Sequence, residues 1–412
     1  MWTLLVLACT GGGSTQSVGN ALDTGSQYVV DRGFDTGDVS GIPDAGWAEL
    51  DENATWVSDY PGYGTGGAFT DLDRDGDMDL VVAHGNDMEP GHLTVFKNQD
   101  GQLESQPSWV SNNTAYYGHL AVGDVNNDGF QDVVVSRFLG PGRFDEPGGV
   151  EVFINRGGTL EGSPSWVAEG FFSFSLALGD MDGDGVLDLA VAVGESYENL
   201  PDYSRVFKGD GSGGFGDEPV WLTGEPGYSF DVVWADFDGD GWLDLALANQ
   251  QKGHCIYKNE SGSLSDAPMW QASGSDGPFE GNTLDVGDVD GDGNLDLVIS
   301  DNDQQGGVGA VRLWCGPDFT VCHSIPQHYA SAVDLFDWDA DGDLDLAYGG
   351  WWSSVYVVEN ADGVLSDVPI WQSTKSDIVV EALDWADVDG KPGAELVVTD
   401  WTKSSGNRMW SR

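Results

Sequence analysis

Basic residues are scarce in this chain: 16 lysines and arginines stand against 70 aspartates and glutamates, a formal net charge of −54. Nucleic acid is excluded as a partner on that ground, because a phosphate backbone is neutralised by Lys and Arg. The surplus acid forms a solvated surface that favours solubility. Cysteine is nearly as rare, and none of the four forms a CxxC pair, so a thiolate zinc site is excluded. The six histidines, at 84, 92, 119, 254, 323 and 328, show no HExxH or other ligand spacing. There is no GxSxG elbow and no sialidase-like Asp box. The apolar stretch from Met1 to Cys9 is too short to span a bilayer.

That stretch has another reading. Leu5–Cys9 (Leu-Val-Leu-Ala-Cys) resembles a bacterial lipobox, in which the cysteine becomes the lipidated N-terminus. It is short for a signal and has no Lys or Arg before its apolar run; plain cleavage and a miscalled start codon are the alternatives. We expect residues 1–9 to be a signal or lipobox-like segment lipidated at Cys9. Residues 10–45, rich in Gly, Ser, Thr and Asp, read as a flexible tether, and residues 46–412 as one folded domain. The chain is then exported, either secreted or held on a bacterial surface as an outer-membrane lipoprotein, and its membrane contact is the lipid alone. Cys315 and Cys322 lie close in one segment and are placed to close a hairpin as a disulfide in an oxidising compartment. Cys255 sits in an apolar strand pattern and reads as a small buried hydrophobe.

What the chain has in abundance is glycine (60) and tryptophan (17), arranged in a repeat. The run Asp-x-Asp/Asn-x-Asp-Gly-x-x-Asp begins at Asp71, Asp124, Asp180, Asp236, Asp288 and Asp337, with a damaged seventh at Asp387; successive starts lie 49 to 56 residues apart. Repeats of this length build propellers or solenoids. Within one repeat, small and apolar residues alternate over Gly118–Gly123, followed by the acidic loop and the β-branched run Val133–Val135. A third strand follows at Val150–Ile154 and a fourth near Pro164–Trp166. Four short strands per repeat is a propeller blade. Tryptophans 109, 166, 270 and 371 recur at one position, so we assign them to contacts between blades. The last repeat stops one strand short at Trp410, and its missing strand is found at Leu50–Trp56. The expected fold is an all-β, seven-bladed propeller that the N-terminal strand closes.

The acidic loops offer only oxygen. Such a donor set selects a hard cation, and six to eight flexible ligands favour Ca²⁺ over Mg²⁺. Positions 1, 3, 5 and 9 supply side chains: Asp71, Asp73, Asp75 and Asp79; Asp124, Asn126, Asp128 and Asp132; Asp180, Asp182, Asp184 and Asp188; Asp236, Asp238, Asp240 and Asp244; Asp288, Asp290, Asp292 and Asp296; Asp337, Asp339, Asp341 and Asp345. Position 7 varies freely (Asp77, Phe130, Val186, Trp242, Asn294, Asp343), as a backbone-carbonyl ligand permits. An EF-hand is excluded by the Asp at position 9 and the β-patterned flanks. In the seventh loop Lys391 replaces the third ligand and Pro392 the glycine. We expect that loop to hold no ion, with Lys391 neutralising Asp387 and Asp389.

With these residues in view, the chain resembles the FG-GAP/VCBS repeat proteins, whose propeller is similar to the integrin α-subunit head. The resemblance covers roughly residues 47 to 412. It implies about six structural Ca²⁺ sites in the loops joining the first two strands of each blade, on the face opposite the usual ligand face. A protein or glycan partner is implied there, for an exported monomeric binding or adhesion module. The alternative is a secreted carbohydrate-active enzyme on the same scaffold, a Ca²⁺-dependent polysaccharide lyase or hydrolase. Six interchangeable sites argue against catalysis, which needs one distinct constellation, so no catalytic residue is assigned. Tyr63, Tyr116, Phe172, Tyr228 and Tyr329 each precede their loop by the same interval and are assigned to internal contacts. The unrepeated Arg137, Arg143, Tyr197, Tyr203, Trp351, Trp352 and Trp401, with Phe138 and Phe144 beside the arginines, are the candidate ligand-face residues.

Overall fold

The computed structural model describes residues 50–412 apart from 86, 392, 404 and 405. Cys9, the segments 1–9 and 10–45, and Pro392 lie outside the described residues. Every regular element described is a β-strand. Five sheets are four-stranded antiparallel meanders, and a sixth has eight strands. The first meander comprises Gly64–Thr70, Asp79–Gly85, Pro90–Phe96 and Trp109–Val110. The eight-stranded sheet divides into two such units, joined where Trp351 and Ser353, at the end of a long second strand, pair with Val379 and Ile378. Its last unit is Ile378–Ala386, Glu395–Asp400 and Arg408–Trp410, completed by Trp56–Val57 from the N-terminus. That completing strand is shorter than the Leu50–Trp56 span expected from sequence. Leu50 precedes it as a buried side chain, 3% exposed, and its carbonyl accepts from Trp371 Nε1 at 3.1 Å.

Why the chain closes into a ring is plain from its apolar residues. The second strands are buried on both faces and read as near-continuous Val, Leu, Ala and Ile runs. Each therefore needs a neighbour on both sides. Seven apolar clusters lie between successive units, and one of them joins the last to the first through Val388, Val397 and Met409 against Phe69, Leu80 and Phe96. The fold is a β-propeller of seven four-stranded units, with the last packed against the first so that only short edges remain.

The recurring tryptophans occupy one niche. Each stands on a fourth strand and meets, edge to face, an aromatic ring at the end of the next unit's third strand. The pairs are Trp56 with Phe96 at 5.4 Å, Trp109 with Phe153 at 6.1 Å, Trp166 with Phe207 at 6.0 Å and Trp221 with Tyr257 at 4.9 Å. Trp270 meets Trp314 at 5.5 Å and Trp371 meets Trp410 at 5.7 Å. Such contacts add about 0.5–1.5 kcal/mol each beyond area burial. Nearer the axis, carboxylates tie neighbouring inner strands: Asp384 Oδ2 accepts from the amide of Phe69, Asp231 Oδ2 from Leu284 and Asp285 Oδ2 from Leu335, each at 2.8 Å.

Candidate metal centres and the opposite face

All seven acidic loops join the first and second strands of their units, so they share one end of the propeller. Their geometry is set by backbone amides. In all six intact loops the position-1 carboxylate accepts from the glycine amide at position 6, at 2.7–3.2 Å. The position-5 carboxylate likewise accepts from the amide at position 7, at 2.8–3.0 Å. The turn requires left-handed backbone at position 6, for example φ +96° at Gly76 and +101° at Gly342. It requires the same at position 4, where Ala340 is held at +59° at a steric cost that glycine would avoid.

The position-9 aspartate is the buried anchor. Asp132 Oδ2 accepts from the Val125 amide at 3.1 Å, inside its own loop, and Oδ1 from the Asn155 amide at 2.7 Å, after the third strand. Asp244 repeats this with Phe237 and Asn259, and Asp345 with Trp338 and Asn360. The asparagines reach further. Asn98, Asn155, Asn259 and Asn360 donate through Nδ2 to carbonyls in the neighbouring unit's loop, those of Val388, Leu72, Met181 and Val289, at 2.7–2.8 Å. Gly209 and Gly316 replace them in two units; a Cβ at Gly209 would sit 2.2 Å from the Leu187 carbonyl oxygen. Burial pushes the carboxyls of Asp132, Asp244 and Asp345 up to about 7 and those of Asp79, Asp188 and Asp296 up to about 6, against the pull of their amide donors.

These loops have the donor set of a hard-cation site. Carboxylate oxygens of Asp71, Asp73 and Asp75 lie within 4.8 Å of one another, as do those of Asp180, Asp182 and Asp188, of Asp236, Asp238 and Asp244, and of Asp288, Asp290 and Asp292. Asp182 Oδ1, Asp288 Oδ1 and Asp337 Oδ1 are buried with no hydrogen-bond donor. Oxygens so crowded repel one another unless a positive charge is shared between them. The groups are able to hold a divalent cation. The seventh loop differs: Lys391 Nζ pairs with Asp389, while Asp387 Oδ1 takes the Gly390 amide at 2.8 Å instead. Neutralisation of both aspartates by Lys391 was expected, and only Asp389 receives it.

The candidate ligand-face residues sit at the other end, where second strands turn into third strands and one unit passes to the next. They do not form one group. Arg137 is tied up in ion pairs with Glu151 at 3.3 Å and Glu169 at 2.7 Å. Arg143 Nε donates to the Asp87 carbonyl at 3.1 Å. Phe138 and Phe144 join Phe172 and Leu139 in a small apolar cluster. The Tyr197 hydroxyl reaches Gln304 at 2.5 Å, and Tyr203 is exposed. Trp351, Trp352 and Trp401 do converge: Trp351 stacks on Trp401 at 6.1 Å and meets Trp352 edge-on at 6.1 Å. Tyr329 and Tyr63, assigned from sequence to internal contacts, extend the array at 6.2 Å from Trp351 and 6.4 Å from Trp401. Trp352 is 61% exposed and held at φ +55°, a left-handed conformation that costs a bulky residue energy. Their equal spacing with Tyr116, Phe172 and Tyr228 hid the tyrosines; Phe172 and Tyr228 are buried and Tyr329 is not.

Comparison with known proteins agrees with this architecture. A family model described as FG-GAP-like repeat matches residues 71–135, 138–191, 192–247 and 236–299. Integrin alpha-5 of Xenopus laevis is 29% identical over 159 residues, 33% of this chain and 15% of that protein. Integrin alpha-3 of Cricetulus griseus is 40% identical over 94 residues, 21% of this chain and 9% of that protein. The matched part is thus a small fraction of either integrin. Among solved structures, BBS1N in complex with ARL6DN superposes with a TM-score of 0.53 at 15% identity, covering 88% of this chain and 95% of that one. The V. cholerae biofilm matrix protein Bap1 gives 0.50 at 12% identity, covering 89% and 90%. These two share the fold.

Proposed function

Because the chain belongs to the FG-GAP-like repeat family, we propose that it is an exported, Ca²⁺-stabilised binding module that captures a protein or glycan and catalyses no reaction. The aromatic array of Tyr63, Trp401, Trp351, Tyr329 and Trp352 carries this reading. Stacked indoles beside one exposed, conformationally strained Trp352 offer flat apolar area with polar edges, the surface that sugar rings and protein hot spots use. The array lies at the end opposite the acidic loops, so the ions stiffen the scaffold without touching the ligand. The Cys315–Cys322 disulfide suits an oxidising compartment outside the cytoplasm. A lipid at Cys9 would tether the module to the cell, with residues 10–45 as its leash.

The test is a binding screen of glycans and surface proteins with parent and Trp352→Ala chains, in Ca²⁺ and in chelator. Trp352→Ala should lose at least tenfold in affinity while keeping its melting temperature. Ligands bound equally by parent and variant would remove the array from consideration. Turnover of a polysaccharide would replace this reading with an enzymatic one.

A further inference from the structure

The six intact loops are alike in sequence, yet the residue just beyond the third strand of each unit is not. In three units it is a lysine. Lys97 Nζ lies 2.8 Å from Asp73 and 2.6 Å from Asp79, at positions 3 and 9 of its loop. Lys208 Nζ pairs with Asp182 and lies 2.8 Å from Asp184; Lys258 Nζ pairs with Asp238 and lies 2.9 Å from Asp240, at positions 3 and 5. Each ammonium thus bridges two carboxylates of the set expected to ligate the ion. At the matching position the other three units carry Ile154, buried; Cys315, the last residue of its strand, whose sulfur is committed to the disulfide; and Glu359, which has the opposite charge.

We propose that Lys97, Lys208 and Lys258 are built-in counter-ions that divide the six loops into two classes. The loops at Asp71, Asp180 and Asp236 each offset part of their carboxylate charge internally and bind Ca²⁺ at least tenfold more weakly. Those at Asp124, Asp288 and Asp337 have no ammonium bridging two of their carboxylates. Arg156, near the first, is paired with Glu161 at 2.8 Å, and Arg412, near the last, donates to the Trp338 carbonyl, so these loops depend more on the ion. The physical reason is competition: an ammonium and a Ca²⁺ cannot share the same pair of oxygens, and a nearby positive charge raises the cost of a second. The lysine stems are partly exposed, so the ammonium is free to swing into solvent when Ca²⁺ enters. Three units thereby keep their inner hairpins pinned when Ca²⁺ falls, while the other three report its loss. This rests on the Ca²⁺ reading of the loops given above.

Calcium ion alone, titrated calorimetrically into the ion-free full chain, is the test. The parent should show three tight and three weak events. The triple variant Lys97→Met, Lys208→Met, Lys258→Met should show six tight ones. If the triple variant does not fold, Glu359→Lys serves instead and should convert one tight event into a weak one. Six equivalent events in the parent, unmoved by either variant, would overturn the two-class division and leave the Ca²⁺ reading standing. Absence of any binding, by calorimetry and by equilibrium dialysis, would overturn both.

Discussion

The two ends of this propeller were built under different rules. At the loop end, six copies of one turn repeat almost atom for atom, each with its position-1 carboxylate and buried anchor, and a seventh departs from them. At the opposite end the units differ: one carries an Arg–Glu network and, with Phe172 of the next, a Phe cluster, whereas the tryptophan array is gathered from the last two units and the first. Repetition fits a role that every unit shares, which is to hold its own inner hairpin. Variation fits a role performed once, which is recognition. Neither end is inert, and a perturbation at each should have a different signature.

The largest effect expected is from removing divalent cations. With free Ca²⁺ at a hundred times the dissociation constant, each filled loop contributes about 2.7 kcal/mol. Three such loops, at roughly 2 °C per kcal/mol for a domain of this size, predict a fall in Tm of about 10 °C or more on chelation. Differential scanning calorimetry with and without EDTA measures it. A shift under about 2 °C would mean that the loop end is held by its backbone hydrogen bonds alone.

Next in size is the anchor. Asp244→Ala strips acceptors from two buried amides, those of Phe237 and Asn259. At about 1–3 kcal/mol for each unsatisfied group, the loss is about 3 kcal/mol in urea unfolding. Glu395→Ala, at the matching position of the damaged loop, strips one acceptor, from Val388, and should cost about 1–2 kcal/mol. The comparison sharpens on adding chelator. Asp244→Ala should lose part of its cost relative to the equally chelated parent, whereas the cost of Glu395→Ala should not change.

How much of this could be read from the residues follows the same division. The loop end was legible because its chemistry is local: nine consecutive residues specify the turn, its acceptors and the glycine it needs. Ring closure was legible because a missing strand at one terminus matched a surplus one at the other. The inter-unit asparagines and the lysine bridges were not read. Their partners lie 18 to 290 residues away, and Phe96-Lys97-Asn98 looks like any strand exit until the neighbouring loop is in place. The aromatic array was half legible for the opposite reason. Trp351, Trp352 and Trp401 stood out by breaking the repeat, whereas Tyr329 obeys it in sequence and departs from it only in exposure.

A smaller effect than that of Asp244→Ala comes from a single carboxyl beneath that array. Glu381 sits on the inner strand Ile378–Ala386, 3% exposed. Burial pushes it up to about 8; the nearby charges of Asp400 and Asp87 add to the rise, and the Trp351 indole opposes it. The folded protein therefore keeps this proton at a pH where the unfolded chain, at its ordinary 4.5, has released it. Unfolding releases a proton between those values, so this group's contribution to stability is full below about 4.5 and is lost as pH rises to about 8. Glu381→Gln keeps the shape and removes the titration. It should match the parent at pH 5 and exceed it by about 2 kcal/mol at pH 8.5, taking about 1.4 kcal/mol per unit and discounting for relaxation around the charge. Urea midpoints of the two chains at each pH measure it, and the loop carboxylates cancel in the difference. Equal stability at both pH values would show that water or a counter-charge reaches Glu381. The aromatic array would then stand over a charged site, and a cationic ligand would become its better match.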